Sequence, residues 1–432
     1  MRLGGGRLTS EVLLMNLEAA VLGSDSAVTM FDAGGRPFSQ SGAEKIFVIN
    51  DKAPVAAMVY GVGMFAGYPW KTVLDDFARV CGPQPLGMRA YAEKLVLYLS
   101  SFGTEGPLKL ESEIEDVIFA LYLRAFLLDY RQWLEILGWQ AGKPIDAAQA
   151  TQALTVYSRQ VLYLEPESED QEQLTPRPRL MTGDRLKDFL TARFGPAFAR
   201  ELGRVFPGAP FPESQVEPLS KLAVQSILVE WLPAHAILFT TGLVMSGFGA
   251  GSAVPSMVSM RFFGPFAGLV KYAEVRLKTP RAGIDPVHLE TFARADLTQA
   301  FIFGAMPAYE ANAYRVQAHL LGDVVTDVLR EAALVNKPLA EKLAGLLQDV
   351  PFQYPAIAAQ VARRVRQQEV SDKLLPQLNA ATAETLGALA AKFMEIPVIE
   401  HELLREDGVG RPIVTLTMKP GRFTFQKDGE TQ

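Results

Sequence analysis

Few residues of this sequence belong to a familiar catalytic motif. The four histidines are scattered, and His401 lacks the second histidine of an HExxH zinc pair. A single cysteine, Cys81, excludes a disulfide framework and any multi-cysteine zinc site. Walker A and GxSxG sequences are missing, and the glycines of 61–67 are wrongly spaced for a dinucleotide fingerprint. The side chains left to do chemistry include a hydroxyl, a carboxylate and an amine, which could support nucleophilic catalysis.

These groups must be positioned by strands near the start of the chain. Apolar runs at 12–15 and 19–22 predict one hairpin, and runs at 45–49 and 55–60 predict a second. The runs lack strict alternation of apolar and polar residues. We therefore expect these strands to be covered on both faces.

The candidate residues fall at the ends of these strands. Thr9 precedes the first strand, Asp25 follows the second, Lys45 opens the third and Gly61 ends the fourth. This ordered set resembles the opening of proteasome β-type subunits, of the HslV-type bacterial ring protease and of related N-terminal-nucleophile (Ntn) hydrolases. In those families an Asp-Ser or Asp-Thr pair follows the threonine by sixteen residues, as Asp25 follows Thr9.

Later segments extend the resemblance. The segment 405–425 looks like the family's closing strand pair, and 236–262 is similar to its central strands. The Pro69-Trp70 helix start resembles a family of long, uncharacterised bacterial proteasome-like proteins that carry large helical insertions. The similarity is strongest over 9–82, and the ordered set of pieces is more specific than any one of them.

The resemblance implies a role for each residue. Thr9 would be the nucleophile, with its own α-amino group as base, because that amine has a reference pKa of about 7.7–8.0. Lys45 would lower the pKa of the amine by like-charge repulsion, and Asp25 would hold the lysine charged and oriented. Gly61 would offer its backbone N–H to the oxyanion, and Glu406 would be the acid that completes the site.

Ser26 and Thr29 are the candidate substrate contacts, with hydrogen bonding within a turn as the alternative. The catalytic set also has structural interpretations. Its threonine could merely open a strand, its aspartate and lysine could form an ordinary ion pair, and its glycine could serve a turn.

Three departures from the family pattern bear on activity. Ala27 stands where the family usually has arginine, and Val409 stands where it has serine. Eight residues also precede Thr9. Self-cleavage after Leu8 could remove them, Leu8 could be a misassigned start codon, or the extension could persist and leave the protein inactive.

The resemblance implies an α+β fold, a four-layer αββα Ntn-hydrolase sandwich of antiparallel sheets with large α-helical insertions. It divides the chain into the following parts: 9–85, first part of the core; 86–220, helical insertion; 221–308, second part of the core; 309–380, helical insertion; 381–432, final helix and closing strand pair.

Patterns along the chain predict several further elements. Residues 69–80 predict a helix, with Pro69 at its first turn. The uncharged segment 231–260 is long enough to cross a bilayer, but turn residues divide it into apolar runs, which favours a buried strand pair. Another helix is expected near 289–304, and the chain is expected to end with a hairpin over 411–426.

Composition adds exclusions. The chain has 432 residues, of which 49% are hydrophobic and 21% charged, with a net charge of −6. This mildly acidic balance argues against binding of duplex nucleic acid. No signal-peptide pattern opens the sequence, so we expect a cytoplasmic protein without a membrane partner. Nothing in the sequence calls for a metal or cofactor.

The expected function is that of a threonine-type peptidase or amidohydrolase, if Thr9 becomes the N-terminus. Family resemblance adds a homo-oligomer, whereas a partner ATPase is not readable from the sequence. The competing class is a catalytically inactive, proteasome-like structural or interaction protein. A small-molecule amidase of the same superfamily is the third hypothesis.

Overall fold

A computed structural model describes most of the chain. The described residues are 10–31, 37–40, 42–102, 108–164, 175–180, 182–208, 211–293, 307–347, 350–404, 410–428 and 430–431.

The described strands pair antiparallel throughout. In chain order they are β1 (Ser10–Met15), β2 (Ala20–Ser24), β3 (Val28–Phe31), β4 (Pro37–Gln40), β5 (Ile46–Asn50), β6 (Val55–Gly61), β7 (Met64–Phe65), β8 (Tyr68–Pro69), β9 (Tyr163–Leu164), β10 (Thr175–Pro176), β11 (Thr241–Gly247), β12 (Ser256–Phe266), β13 (Leu269–Lys278), β14 (His288–Ala293), β15 (Val414–Lys419), β16 (Arg422–Lys427) and β17 (Glu430–Thr431).

The described α-helices lie between and after these strands. They are α1 (Trp70–Cys81), α2 (Met88–Ser100), α3 (Ser112–Ile136), α4 (Ala147–Leu162), α5 (Asp184–Phe189), α6 (Gly195–Val205), α7 (Glu213–Ile227), α8 (Pro307–Val335), α9 (Lys337–Leu347), α10 (Val350–Lys373), α11 (Leu375–Asn379) and α12 (Ala383–Leu404). A π-helical turn, Leu190–Phe194, joins α5 to α6, and Ala234–Phe239 forms a 3-10 helix.

Two larger sheets combine distant parts of the sequence. The six-stranded sheet has the order β14-β1-β2-β15-β16-β17, and the five-stranded sheet has the order β13-β12-β11-β6-β5. The fold is therefore a mixed α+β fold built on antiparallel sheets, as expected from the sequence. Both predicted N-terminal hairpins and the C-terminal hairpin are present.

Alternate residues of β1 point to different layers of the core. Leu13 and Met15 pack against side chains of the five-stranded sheet, so the two sheets share one apolar core. Val12 and Leu14 face the other way and pack against α12. All six residues of β1 are buried. This explains why residues 12–15 of β1 are apolar without the alternating polar positions of a half-exposed strand.

The far face of the five-stranded sheet is covered by α1 and α2. Trp70 and Phe77 of α1 and Tyr91 of α2 pack against residues of β6, β11 and β12. Pro69 immediately precedes α1, and Gly82 follows it with a φ of 75°, so the helix predicted over 69–80 is confirmed within a residue or two.

Asn16 fixes the turn of the first hairpin. Its Oδ1 accepts hydrogen bonds from the backbone amides of Glu18 and Ala19, at 2.9 and 3.0 Å. Its Nδ2 donates to the carbonyl oxygens of Leu378 and Ala381, at 3.1 and 2.9 Å. One buried amide therefore closes the hairpin and anchors it to the segment before α12.

Helices α3 to α7 have a core of their own, rich in aromatic side chains. Phe119 and Tyr122 of α3 pack there against Phe266, at the end of β12. This helical region is thus packed against the sheet and is not tethered by a linker alone.

The segment predicted to be a buried strand pair contains one, since β11 and β12 pair over residues 241–262. Strand β11 begins at Thr241, later than residue 236, where the resemblance to the central strands begins, because residues 234–239 form a 3-10 helix. The backbone amides of Ala234 and His235 donate to the buried carboxylate of Asp129, which favours a turn there. Among the described residues, no helix is long and apolar enough to span a membrane.

The prediction of a helix near 289–304 is wrong for residues 289–293, the part of this range that the structure describes. Residues 288–293 form β14, which pairs with β1 from His288 opposite Met15 to Ala293 opposite Ser10. Phe292 packs between the sheets, whereas Leu289 packs on the α12 side. Sheet pairing thus overrides local helical spacing. Residues 294–304 of that prediction lie outside the described part of the chain.

Candidate active site

Asp25 and Lys45 form a buried ion pair where the two larger sheets meet. Asp25 directly follows β2 of one sheet, and Lys45 directly precedes β5 of the other. Lys45 Nζ lies 2.5 Å from Asp25 Oδ1, and neither side chain is exposed. The structure therefore brings together two of the predicted catalytic residues.

Four donors hold the carboxylate of Asp25. Besides Lys45, it accepts hydrogen bonds from the backbone amides of Ser10, Ala27 and Gly410, at 3.1, 3.0 and 3.0 Å. Such complete coordination is what a buried ion requires. The Ser10 nitrogen is the atom through which the chain continues back to Thr9. One carboxylate therefore contacts both the lysine and the start of the first strand.

Glu11 is a second carboxylate at the site, which was not among the residues predicted from the sequence. Its Oε1 lies 2.9 Å from Lys45 Nζ, and its side chain is fully buried. Glu11 shares the parity of Leu13 and Met15 along β1, so it faces the space between the sheets. A charged residue next to the apolar run 12–15, in a strand expected to be covered on both faces, was the signal that could have identified it.

The charge of Lys45 depends on both carboxylates. Burial alone would lower the pKa of the ammonium, but the nearby charges and hydrogen bonds of Asp25 and Glu11 outweigh it and raise the pKa above 10.5. Lys45 is therefore protonated at neutral pH. Two carboxylates contact its ammonium group, whereas only Asp25 was predicted from the sequence.

Ser26 ties two distant segments together next to the ion pair. Its Oγ donates to the carbonyl of Arg411 at 2.6 Å and accepts from the amide of Gly42 at 3.3 Å. These contacts give the hydroxyl a structural role, and contact with a substrate stays a prediction. Thr29 lies in β3, but its side chain lies outside the described part of the structure.

Gly61 ends β6 close in the sheet to Lys45. The amide of Val59 donates to the Lys45 carbonyl at 2.9 Å, and Gly61 lies two residues further along β6. Gly61 has a φ of 84°, and a Cβ atom there would lie 2.6 Å from the carbonyl oxygen of Thr240. Both the backbone conformation and the space therefore require glycine. Its use as an oxyanion donor stays a prediction.

Thr9 and Glu406 lie outside the described residues. The described neighbours of these positions still meet at the site, because the amides of Ser10 and Gly410 both donate to Asp25. The start of β1 and the segment before β15 therefore converge on one carboxylate.

A cleft of about 570 Å³ opens beside the ion pair. Residues 42–48 form one wall, and residues of the closing strands, including Pro412, Val414 and Gln426, form the other. Ser26 and Lys45 are also among its lining residues. The cleft is large enough for a few residues of a peptide or for a small molecule.

A second cleft, of about 700 Å³, lies between α2 and β13. Val258 and Met260 form part of its floor and belong to the core on the α1–α2 side of the sheet. The cleft next to Lys45 is the better candidate, because the buried ion pair lies directly behind its wall. Within the described ranges, no three His, Cys, Asp or Glu side chains are grouped as metal ligands.

Comparison with known proteins gives no relatives for this chain. No family model, no curated protein and no solved structure matches it.

Proposed function

We propose that this chain is a proteasome-like Ntn hydrolase that cleaves a peptide or other amide bond through Thr9. One observation carries the proposal. Asp25 Oδ1 contacts both Lys45 Nζ, at 2.5 Å, and the backbone nitrogen of Ser10, at 3.1 Å. Thr9 is joined by its peptide bond to the Ser10 nitrogen, and this nitrogen donates to the same carboxylate oxygen that contacts Lys45.

The order of the packed elements supports the proposed four-layer αββα sandwich. Helix α12 packs on the six-stranded sheet, the two sheets share a core, and α1 and α2 pack on the five-stranded sheet. Segments 10–61, 241–278 and 410–427 supply most of the strands. These segments correspond to the parts of the sequence in which the resemblance is found.

The proposed reaction needs Thr9 at a free N-terminus. Its α-amine takes the proton of its hydroxyl, and the oxygen attacks the carbonyl carbon of the substrate amide. The C–N bond breaks, the leaving amine takes the proton, and the acyl group remains as an ester on Thr9. Water then hydrolyses this ester. Gly61 is the predicted donor to the oxyanion of both steps.

Glu11 changes the electrostatic part of this mechanism. Asp25 alone balances the positive charge of Lys45, and Glu11, as a second carboxylate, gives this buried cluster a formal net charge of −1. Like-charge repulsion from Lys45 then does less to lower the pKa of the amine. This observation favours the alternative of a catalytically inactive protein that retains the fold. The two hypotheses differ in whether Thr9 forms a covalent bond with a substrate or an electrophilic probe.

Labelling with an electrophile tests the proposal. A peptide epoxyketone reacts with both the hydroxyl and the amine of an N-terminal threonine, so the proposed enzyme gains the mass of one probe. Peptide mapping should place the adduct on Thr9. Thr9→Ala should abolish the adduct, and the matched control Ser10→Ala should retain it. An unlabelled wild-type protein, or equal labelling of both variants, supports the inactive alternative.

A substrate screen separates the peptidase from the small-molecule amidase. Fluorogenic peptides and simple acylamides are compared at equal concentration, with Thr9→Ala as the blank. The cleft beside Lys45 has room for either class. Hydrolysis of peptides alone supports a peptidase, and hydrolysis of acylamides alone supports an amidase.

A further inference from the structure

Helices α8, α9 and α10 form a distinct packed unit, called the arm below. Helix α8 packs against both α9 and α10. Leu321, Val325 and Leu329 of α8 are half-buried and recur every four residues, as expected for the contact face of a helix. The arm therefore has an internal apolar seam.

A second apolar face of α8 is left open. Val316, Leu320, Val324 and Val328 also recur every four residues, and they are 58%, 58%, 58% and 47% exposed. Residues at this spacing lie along one side of a helix. Over three turns, α8 thus presents an apolar stripe that α9 and α10 do not cover.

Helix α10 presents a stripe of the same kind. Ile357, Val361 and Val365 recur every four residues and are 54%, 56% and 54% exposed. Single exposed apolar residues are ordinary on a protein surface, but aligned rows on two neighbouring helices mark an interaction site. Helices gain most of their stability from packing an apolar face, and here two such faces lack cover among the described residues.

The charges of the two helices indicate what covers these faces. Helix α8 contains four acidic and two basic residues, whereas α10 contains four basic and two acidic residues. Asp327 is exposed beside the α8 stripe, and Arg364 is exposed beside the α10 stripe. A twofold axis that sets α8 against α10 of a second copy would bring unlike charges together at both contacts.

We propose that the arm is a dimerisation element, in which α8 and α10 of two copies form a four-helix bundle. Such bundles bury apolar stripes of this spacing from all four helices. The proposed contact is isologous, since each copy contributes both stripes. It does not depend on the proposed hydrolase activity.

Light scattering coupled to size-exclusion chromatography tests the proposal on the full chain. Loading concentrations of about 1–100 µM cover the affinities typical of moderate interfaces. The wild-type protein should run as a dimer in the upper part of this range. Val324→Glu with Val361→Glu should weaken the dimer at least about tenfold, because each change buries a charge in the contact. Circular dichroism checks that the variant remains helical, as glutamate is a good helix former.

Thr326→Glu with Ala362→Glu is the matched control. It introduces the same two charges at exposed positions on the same helices, outside the stripes. The control should dimerise like the wild type. A wild-type protein that stays monomeric at the highest concentration overturns the proposal, and so does a dimer that Val324→Glu with Val361→Glu leaves intact.

Discussion

At the scale of single residues, the site is organised around one ammonium group and two carboxylates. Lys45 contacts Asp25 and Glu11, and all three side chains are fully buried. Asp25 also accepts three backbone hydrogen bonds, from Ser10, Ala27 and Gly410. The two carboxylates therefore have unequal roles. Asp25 joins several chain segments through backbone groups, and Glu11 places a second negative charge 2.9 Å from the ammonium of Lys45.

This inequality predicts different costs of neutralising the two acids. Asp25→Asn should lower the free energy of unfolding by about 3–5 kcal/mol, because Lys45 keeps only Glu11 and the new amide N–H₂ meets backbone N–H groups that the carboxylate accepted from. Glu11→Gln should cost about 1–3 kcal/mol, since Lys45 keeps Asp25. Urea unfolding at neutral pH measures both values. Equal losses for the two variants would contradict the unequal roles.

The raised pKa of Lys45 predicts how the stability of the protein depends on pH. Its pKa in the folded protein lies above that of an unfolded lysine, about 10.4, so the folded state binds the proton more tightly. The stabilisation is complete below pH 10.4 and is lost as the pH rises through the folded pKa. The stability margin of the wild type over Lys45→Met should therefore be constant from about pH 8 to 10 and shrink above it.

Denaturant unfolding of both proteins at several pH values measures this margin. Taking the difference between wild type and Lys45→Met removes the titration that the two proteins share. A margin that grows above pH 10.4 would contradict the raised pKa of Lys45.

At the scale of elements, the sequence predicted the hairpins whose strands and turns are determined by local patterns. The β1–β2 and β5–β6 hairpins follow from apolar runs and turn residues such as Asn16 and Asn50. Strand β14 was missed because its position depends on pairing with β1, from which it is far in sequence. Glu11 was missed for a similar reason, since only the folded sheets bring it to Lys45.

Gly61 offers a test at this scale. Gly61→Ala places a Cβ atom at a positive φ and 2.6 Å from the Thr240 carbonyl oxygen, so β6 or β11 must shift. We expect a loss of about 2–5 kcal/mol in unfolding free energy, from backbone strain and overlap together. Gly82→Ala is the control, because Gly82 has a φ of 75° with nothing within 4 Å of its Cβ position. It should cost only about 1–2 kcal/mol.

Thermal and urea unfolding of the two alanine variants give the comparison directly. If Gly61→Ala costs no more than Gly82→Ala, the space around Gly61 is not restricted as described.

At the scale of the whole molecule, the two larger sheets are assembled from both ends and the middle of the chain. The first strands, the segment 241–293 and the closing strands all meet, with helices inserted between them. The resemblance to Ntn hydrolases leads us to expect core segments at both ends and in the middle of the chain, and this division of the chain stays a prediction. The resemblance contained no information on how the insertions pack. The exposed stripes of α8 and α10 can be recognised only once the neighbouring helices are in place.

The central claim is that Thr9 is the first residue of the working enzyme. Intact-mass analysis of the protein expressed in its native form, combined with N-terminal sequencing, tests this most directly. The proposed mechanism predicts a chain that begins at Thr9, whose free α-amine is the base. A purified protein that hydrolyses its substrate while retaining residues before Thr9, or one that is never processed to Thr9, would contradict it.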